Sequence, residues 1–226
     1  MKNKNILITG AATRVGRAIA IHFAQKGWNI GLHYNKSSLK AKSLKKIIEK
    51  KLVKVVLIKA DLKNTNEVEK IIPKVKKQLG TIDCLVNNAA LFEKDDILNF
   101  TNKKWDEHLN INLLAPVTLI KQFTIQASRK KVSNIINIID QRVFKLTPIF
   151  MSYTLSKSAL FTLTKTMAMR LAPNIKVNGI APGPTIKSKR QSTLHFNKQA
   201  KSTLLKKAVG LKDICDTVDF LINNNS

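Results

Sequence analysis

The chain has 226 residues, 44% of them hydrophobic, with 40 basic against 14 acidic side chains and a formal charge of +26. That suffices for one well-buried α/β domain covering residues 1–226, not for two of comfortable size. No apolar run nears membrane-spanning length, the first strand starts by about residue 5 and leaves no room for a signal peptide, and Cys84 and Cys215 follow no metal-ligand spacing.

A cytoplasmic protein with reduced cysteines and no metal is therefore expected. Lysine supplies 34 of the 40 basic residues, scattered along polar helix faces and densest over 36–51, KSSLKAKSLKKIIEKK. Arginine-rich tracts, aromatic interleaving and zinc-finger or basic-zipper spacings are all missing, so the charge reads as solvated surface and not as a nucleic-acid footprint.

Chemistry begins at residues 6–20, ILITGAATRVGRAIA. Ile6, Leu7 and Ile8 end in Thr9-Gly10, Gly16 follows, and Val15, Ile19 and Phe23 then recur at helical spacing. This is a strand turning tightly into a helix, whose free N–H groups suit a dinucleotide pyrophosphate. Such loops usually carry another glycine two positions before the last, where backbone approaches phosphate. Here that residue is Arg14. A cation in the first helical turn faces the positive end of the helix dipole, so Arg14 is expected to meet a bound anion.

Further along, strand-like runs at 5–9, 28–34, 53–59, 82–86, 132–139 and 175–180 alternate with helical patterns. The helices are expected at 14–26, 38–51, 65–79, 101–128, 153–172 and 211–222. Gly27 and Gly80 stand where helix ends favour positive φ, Thr65 and Thr101 are candidate N-caps, and Pro73 predicts a kink or break. Strict alternation predicts an α/β, Rossmann-type doubly wound parallel sheet of six strands. The continuous apolar runs VKVVLIK and NIINII fit strands buried on both faces. Ligands then bind beyond the carboxyl ends of the strands.

The residues at those ends form the candidate site. Gly10, Thr13, Arg14, Val15 and Gly16 make the phosphate loop. After the second strand, His33, Tyr34, Asn35, Lys36 and Ser37 include no carboxylate. NAD-preferring sites place one there for the ribose hydroxyls, whereas donors and positive charge suit a 2′-phosphate, which predicts NADPH. Asp61, followed by Leu62, is placed to accept from an adenine amino group, and Asn88 and Ala89 let the chain pass close to a ligand. Asp140 directly follows the fifth strand, and Pro182, Gly183, Pro184 and Thr185 form a rigid turn suited to a nicotinamide carboxamide. In YTLSK, Tyr153 and Lys157 share a helical face. An ammonium beside a phenol favours the phenolate and draws its pKa down towards working range.

Together, TGxxxxxG at 9–16, NNA at 87–89, Asn112, YxxxK at 153–157 and VNGIAPGPT at 177–185 resemble the short-chain dehydrogenase/reductase family over essentially the whole chain. The resemblance implies that Tyr153 donates a proton, that Lys157 binds nicotinamide ribose and tunes the tyrosine, and that Asn112 supports a water-linked proton path. Two departures resemble the pteridine reductase branch, which includes bacterial dihydromonapterin and dihydrofolate reductases. Arg14 gives TGxxxRxG, and Asp140 stands where most members carry serine. That likeness implies a pterin between nicotinamide and Phe92, Arg14 near pyrophosphate and pterin, and Asp140 sharing proton delivery with Tyr153; Pro184 joins the substrate contacts. A 3-oxoacyl-type carbonyl reductase and a non-catalytic binding protein are the alternatives. Family members usually add a seventh, edge strand, which this sequence lacks; homo-oligomers are the family habit, and a bare sixth strand would bear on them.

Overall fold

The computed structural model describes residues 3–127, 131–188 and 191–224. Six strands form one sheet: β1 (Asn5–Ile8), β2 (Asn29–Tyr34), β3 (Val55–Lys59), β4 (Cys84–Asn87), β5 (Ser133–Ile138) and β6 (Ile175–Ile180). All pairings are parallel and the order is β3-β2-β1-β4-β5-β6. Strand order reverses between β1 and β4, so the crevice for a ligand opens at their carboxyl ends.

Alternation along the strands feeds two cores. Ile6 and Ile8 point to one face, with α1 (Arg14–Gln25), α2 (Ser38–Glu49) and α9 (Leu211–Asn223). Leu7 points to the other, packed with α4 (Ile71–Leu79), α6 (Ala115–Gln126) and α7 (Met151–Leu171). Both faces are covered, as the apolar strand runs require. Among the described residues, no helix is long and apolar enough to cross a membrane and no cluster could hold a metal ion.

Departures from the expected elements have local causes. The helix expected at 65–79 steps at Lys70 into α3 (Thr65–Glu69) and α4, because Pro73 has no N–H to return to Glu69. Its cap is Asn64, whose Oδ1 accepts from Asn66 N–H at 3.1 Å, and not Thr65; Thr101 does cap α5 (Asn102–Leu109), accepting from Lys104 N–H. The helix expected at 101–128 is interrupted by a π turn, Asn110–Leu114, before α6. Pro116 has no N–H for the carbonyl of Asn112, and the wider turn absorbs the missing bond. Residue 128 lies outside the described residues. A further helix, α8 (Thr193–Lys201), was not expected; Ser192 caps it through His195 N–H.

Candidate active site

Gly10 leaves β1 at φ +63°, a conformation that disfavours side chains. Its N–H donates to Nδ1 of His33. A Cβ at Gly16 would lie 2.5 Å from the Gly10 carbonyl oxygen and 2.6 Å from Asn88 Nδ2, so α1 can start against the turn only with glycine there. Asn88 fastens the other side, its amide donating to Thr9 O at 2.8 Å, while Thr9 Oγ1 accepts from the N–H groups of Asn88 and Ala89. Neither a side-chain cap on Thr13 nor an acidic residue occupies the first turn of α1, and Val15 packs towards the core. The loop thus keeps the N–H cradle that a pyrophosphate needs.

Arg14 takes the backbone conformation for which a glycine is normally kept, φ +54°. A non-glycine residue there costs on the order of 1–2 kcal/mol. Its guanidinium donates to the carbonyls of Ile186 and Lys187 at 2.9 and 3.0 Å. These charge-assisted bonds offset the strain and tie the glycine loop to the segment after β6. The guanidinium is therefore engaged with main-chain oxygens as well as lying in the phosphate loop.

His33 is a correction. It is 2% exposed, with Nδ1 accepting from Gly10 and Nε2 facing Ala60 O at 3.1 Å, which requires the neutral ring. Burial lowers its pKa to about 4. It struts the glycine loop against the end of β3 and cannot supply positive charge to a 2′-phosphate. Tyr34 is also a core residue, and Leu62 is buried. Asn35, Lys36 and Ser37 do reach the surface, Ser37 at the head of α2. Missed by sequence reasoning are Arg17, Lys40 and Ser43, which with Thr13 and Arg14 line a cavity of about 450 Å³ between α1 and α2. Their signal was present: apolar periodicity placed Arg17 and Lys40 on helix starts flanking the loop. Asp61 turns one oxygen to Lys63 N–H.

Across the crevice, Tyr153 Oη donates to Asp140 Oδ2 at 2.7 Å. Asp140 Oδ1 accepts from Arg142 N–H at 2.9 Å, capping a short 3₁₀ turn, Gln141–Val143. Tyr153 is 4% exposed, and burial followed by the Asp140 charge pushes its pKa well above the ordinary tyrosine range; the cation that opposes them is Arg142. Lys157 is not among these causes. Lys157 is fully buried, donates to Ile138 O at 2.7 Å, and is itself lowered to about 8 by desolvation.

Asn112, held inward by the π turn, grips the loop after β4: Oδ1 accepts from Leu91 N–H, and Nδ2 donates to Leu91 O and Ser156 Oγ. Ser156 passes the contact to Tyr153 O. Phe92 stands edge-on to the Tyr153 ring at 4.7 Å and stacks on Phe150 at 4.4 Å. A second clasp unites the same loop and α7. The Asp95 carboxylate accepts from Ser152 N–H and Oγ, Ser152 Oγ meets His108 Nδ1 at 2.6 Å, and His108 Nε2 accepts from Glu93 N–H. Both imidazole nitrogens are thereby committed, Nε2 to the Glu93 main chain and Nδ1 to the Ser152 hydroxyl beside Tyr153, so this Ser–His–Asp set fastens the loop to α7 instead of providing a free nucleophile. Phe150, Arg142, Asp95 and His108 were all missed, their partners lying far off in sequence.

After β6, Pro182 O accepts from Gln141 N–H, and Thr185 Oγ1 donates to Gly183 O. Pro184 is buried, and its carbonyl accepts from Val209 N–H.

A switch-point crevice with a glycine-lined helix start on one wall and a tyrosine, lysine and carboxylate on the other defines a dinucleotide-dependent oxidoreductase of the Rossmann class. The family model for short chain dehydrogenase matches residues 4–198, and the chain belongs to that family. It is 31% identical over 231 residues to 3-oxoacyl-(acyl-carrier-protein) reductase FabG of Staphylococcus epidermidis, covering 99% of this chain and 93% of that protein. Among solved structures, FolM alternative dihydrofolate reductase 1 from Brucella canis complexed with NADP superposes with a TM-score of 0.95 at 36% identity, covering 99% of this chain and 88% of that one. The Brucella suis counterpart, also with NADP, gives 0.94 at 37%, covering 99% and 90%.

Proposed function

We propose that the protein is an NADPH-dependent reductase of a dihydropteridine-type substrate, such as dihydromonapterin, dihydrobiopterin or dihydrofolate. The observation that carries this reading is the 2.7 Å bond from Tyr153 Oη to Asp140 Oδ2, with the Phe92 ring edge-on to the same phenol. Reducing a C=N bond requires a proton at nitrogen as hydride reaches carbon. A serine at 140 could only relay, whereas a carboxyl can itself hold that proton.

NADPH, when bound, supplies the hydride. Its pyrophosphate suits the N–H groups of Thr13 to Gly16, and Arg17 and Lys40 supply the cations that His33 does not. Lys157 keeps further N–H donors for the nicotinamide ribose, and the turn Pro182–Thr185 borders the carboxamide. Tyr153 holds its proton firmly at neutral pH, which makes it an acid and not a resting phenolate. Tyr153 gives its proton to the substrate nitrogen, and a proton arriving from solvent at Asp140 Oδ2 passes back along the shared bond to restore the phenol. Phe92, 41% exposed, offers its ring as one wall for a flat heterocycle. Arg14 borders the phosphate side of that heterocycle.

A second reading, 3-oxoacyl reduction, is favoured by the FabG relatives. The two separate in a spectrophotometric panel that follows NADPH loss with dihydrobiopterin, dihydromonapterin, dihydrofolate and an acetoacetyl thioester. Turnover of the dihydropteridines is expected; turnover of the thioester alone would replace this reading with the second.

A further inference from the structure

Arg142 is half-buried, two residues past Asp140 on the turn that Asp140 caps. Its guanidinium carbon lies 4.6 Å from the Phe150 ring centre and 5.8 Å from that of Phe92. The two rings are 4.4 Å apart, so the three form a triangle and the cation reaches both rings from one side. One donor is spent on Thr147 Oγ1 at 2.6 Å, which anchors the fork, and a guanidinium carries five. The anchoring residue Thr147 is itself fixed, donating to Ile149 O.

This places a held positive charge on the flank of the crevice that opens outward. The inner end is closed by Tyr153, 4% exposed, and by Asn112 and Lys157 beneath it. On the Arg142 side stand Phe92 at 41% exposure and the exposed segment 144–149. A flat ring presenting its reducible bond to Tyr153 Oη must send its substituent out along that flank. No carboxylate among the described residues forms an ion pair with Arg142. Asp140 is met by the Arg142 main-chain N–H, not by its guanidinium.

We propose that Arg142 is a specificity-determining residue that favours a dihydropteridine carrying a carboxylate arm, such as dihydrofolate, over one with an uncharged side chain. The inference rests on the dihydropteridine reading above. The test compares kcat and KM for dihydrofolate and dihydrobiopterin at saturating NADPH in the wild type, Arg142→Gln and Arg142→Lys. In Arg142→Gln the ratio of kcat/KM for dihydrofolate to that for dihydrobiopterin falls about tenfold, mainly through the KM for dihydrofolate, as expected for one lost charge-assisted contact. Arg142→Lys keeps most of the ratio, since charge matters more than ring packing, and added salt erodes it in the wild type. A ratio unchanged within about twofold in Arg142→Gln, or an equal loss in both variants, overturns the role of Arg142 and leaves the dihydropteridine reading standing. A wild type that reduces neither dihydropteridine but does reduce the acetoacetyl thioester overturns the reading itself.

Discussion

Asp140 divides its two oxygens between architecture and chemistry. Oδ1 caps the turn that carries Arg142, and Oδ2 accepts the Tyr153 hydroxyl hydrogen bond. Serine is as good an N-cap as aspartate, so Asp140→Ser should keep the fold and nucleotide binding while removing the carboxylate. We expect kcat for a dihydropteridine to drop by about 10²–10⁴-fold, the span of one general acid–base group, with NADPH affinity by calorimetry nearly intact. Full turnover by the variant would remove Asp140 from the mechanism. The same substitution has a spectroscopic signature. Asp140 helps hold the Tyr153 proton, so losing its charge moves the phenol pKa down. The chain has two tyrosines, and in a Tyr34→Phe background the tyrosinate absorbance reports Tyr153 alone. The residue scale is also where sequence reading reached furthest and then stopped. Asp140 and Tyr153 could be paired because Asp140 stands where the family resemblance places a serine beside the tyrosine. Arg142 could not be placed, since its position depends on rings from residues 92 and 150.

At the scale of elements, His33 shows why charge counted along a loop misleads. It opens a run that looks like a solvated, donor-rich loop, yet it belongs to β2, whose six residues are all buried. Its ring joins the turn after β1 to the end of β3, and both nitrogens are committed in the neutral state. The sign of its pH effect follows. The folded pKa is about 4 against 6.5 in the unfolded chain, so between those values the unfolded state binds more protons and stability falls as pH is lowered through the window. The full effect is on the order of 3 kcal/mol, reached below about pH 4. Denaturant midpoints from pH 7 to 4 should therefore decline less steeply in His33→Gln than in the wild type; parallel slopes would show that His33 protonation is not coupled to unfolding. The elements themselves were legible from periodicity and punctuation, and the six strands lie close to where their apolar runs predicted. What escaped was the π turn at Asn110–Leu114. Helical spacing alone cannot distinguish an i+4 from an i+5 step, although Pro116 marked the helix as one that had to yield.

For the whole molecule, the charge that identified no ligand still has a physical consequence. Forty basic groups face fourteen carboxylates, and several of those carboxylates are turned to internal work: Asp95 on the start of α7, Asp140 on Tyr153, Asp61 on its own turn. The surface pairs Lys26–Asp219 at 3.0 Å, Lys63–Glu107 at 3.2 Å and Lys45–Glu49 at 3.5 Å are exposed or partly so. Such pairs contribute about 0–1 kcal/mol each. Salt acts on both sides of this balance: it weakens the few attractive pairs and screens the many repulsions among lysines. Repulsion is long-ranged and grows with the square of the net charge, whereas the pairs are short and few, so repulsion dominates. The Debye length shrinks from about 30 Å at 0.01 M to about 8 Å at 0.15 M, below the span of the molecule's like-charged faces. The thermal midpoint in sodium chloride should therefore rise across that range. Chloride is the salt to use, because phosphate or a nucleotide would also bind the cradle at α1 and stabilise by mass action. A midpoint that stays flat or falls would mean that attraction within the surface network outweighs the net charge, and that the lysines are paired more effectively than their number suggests.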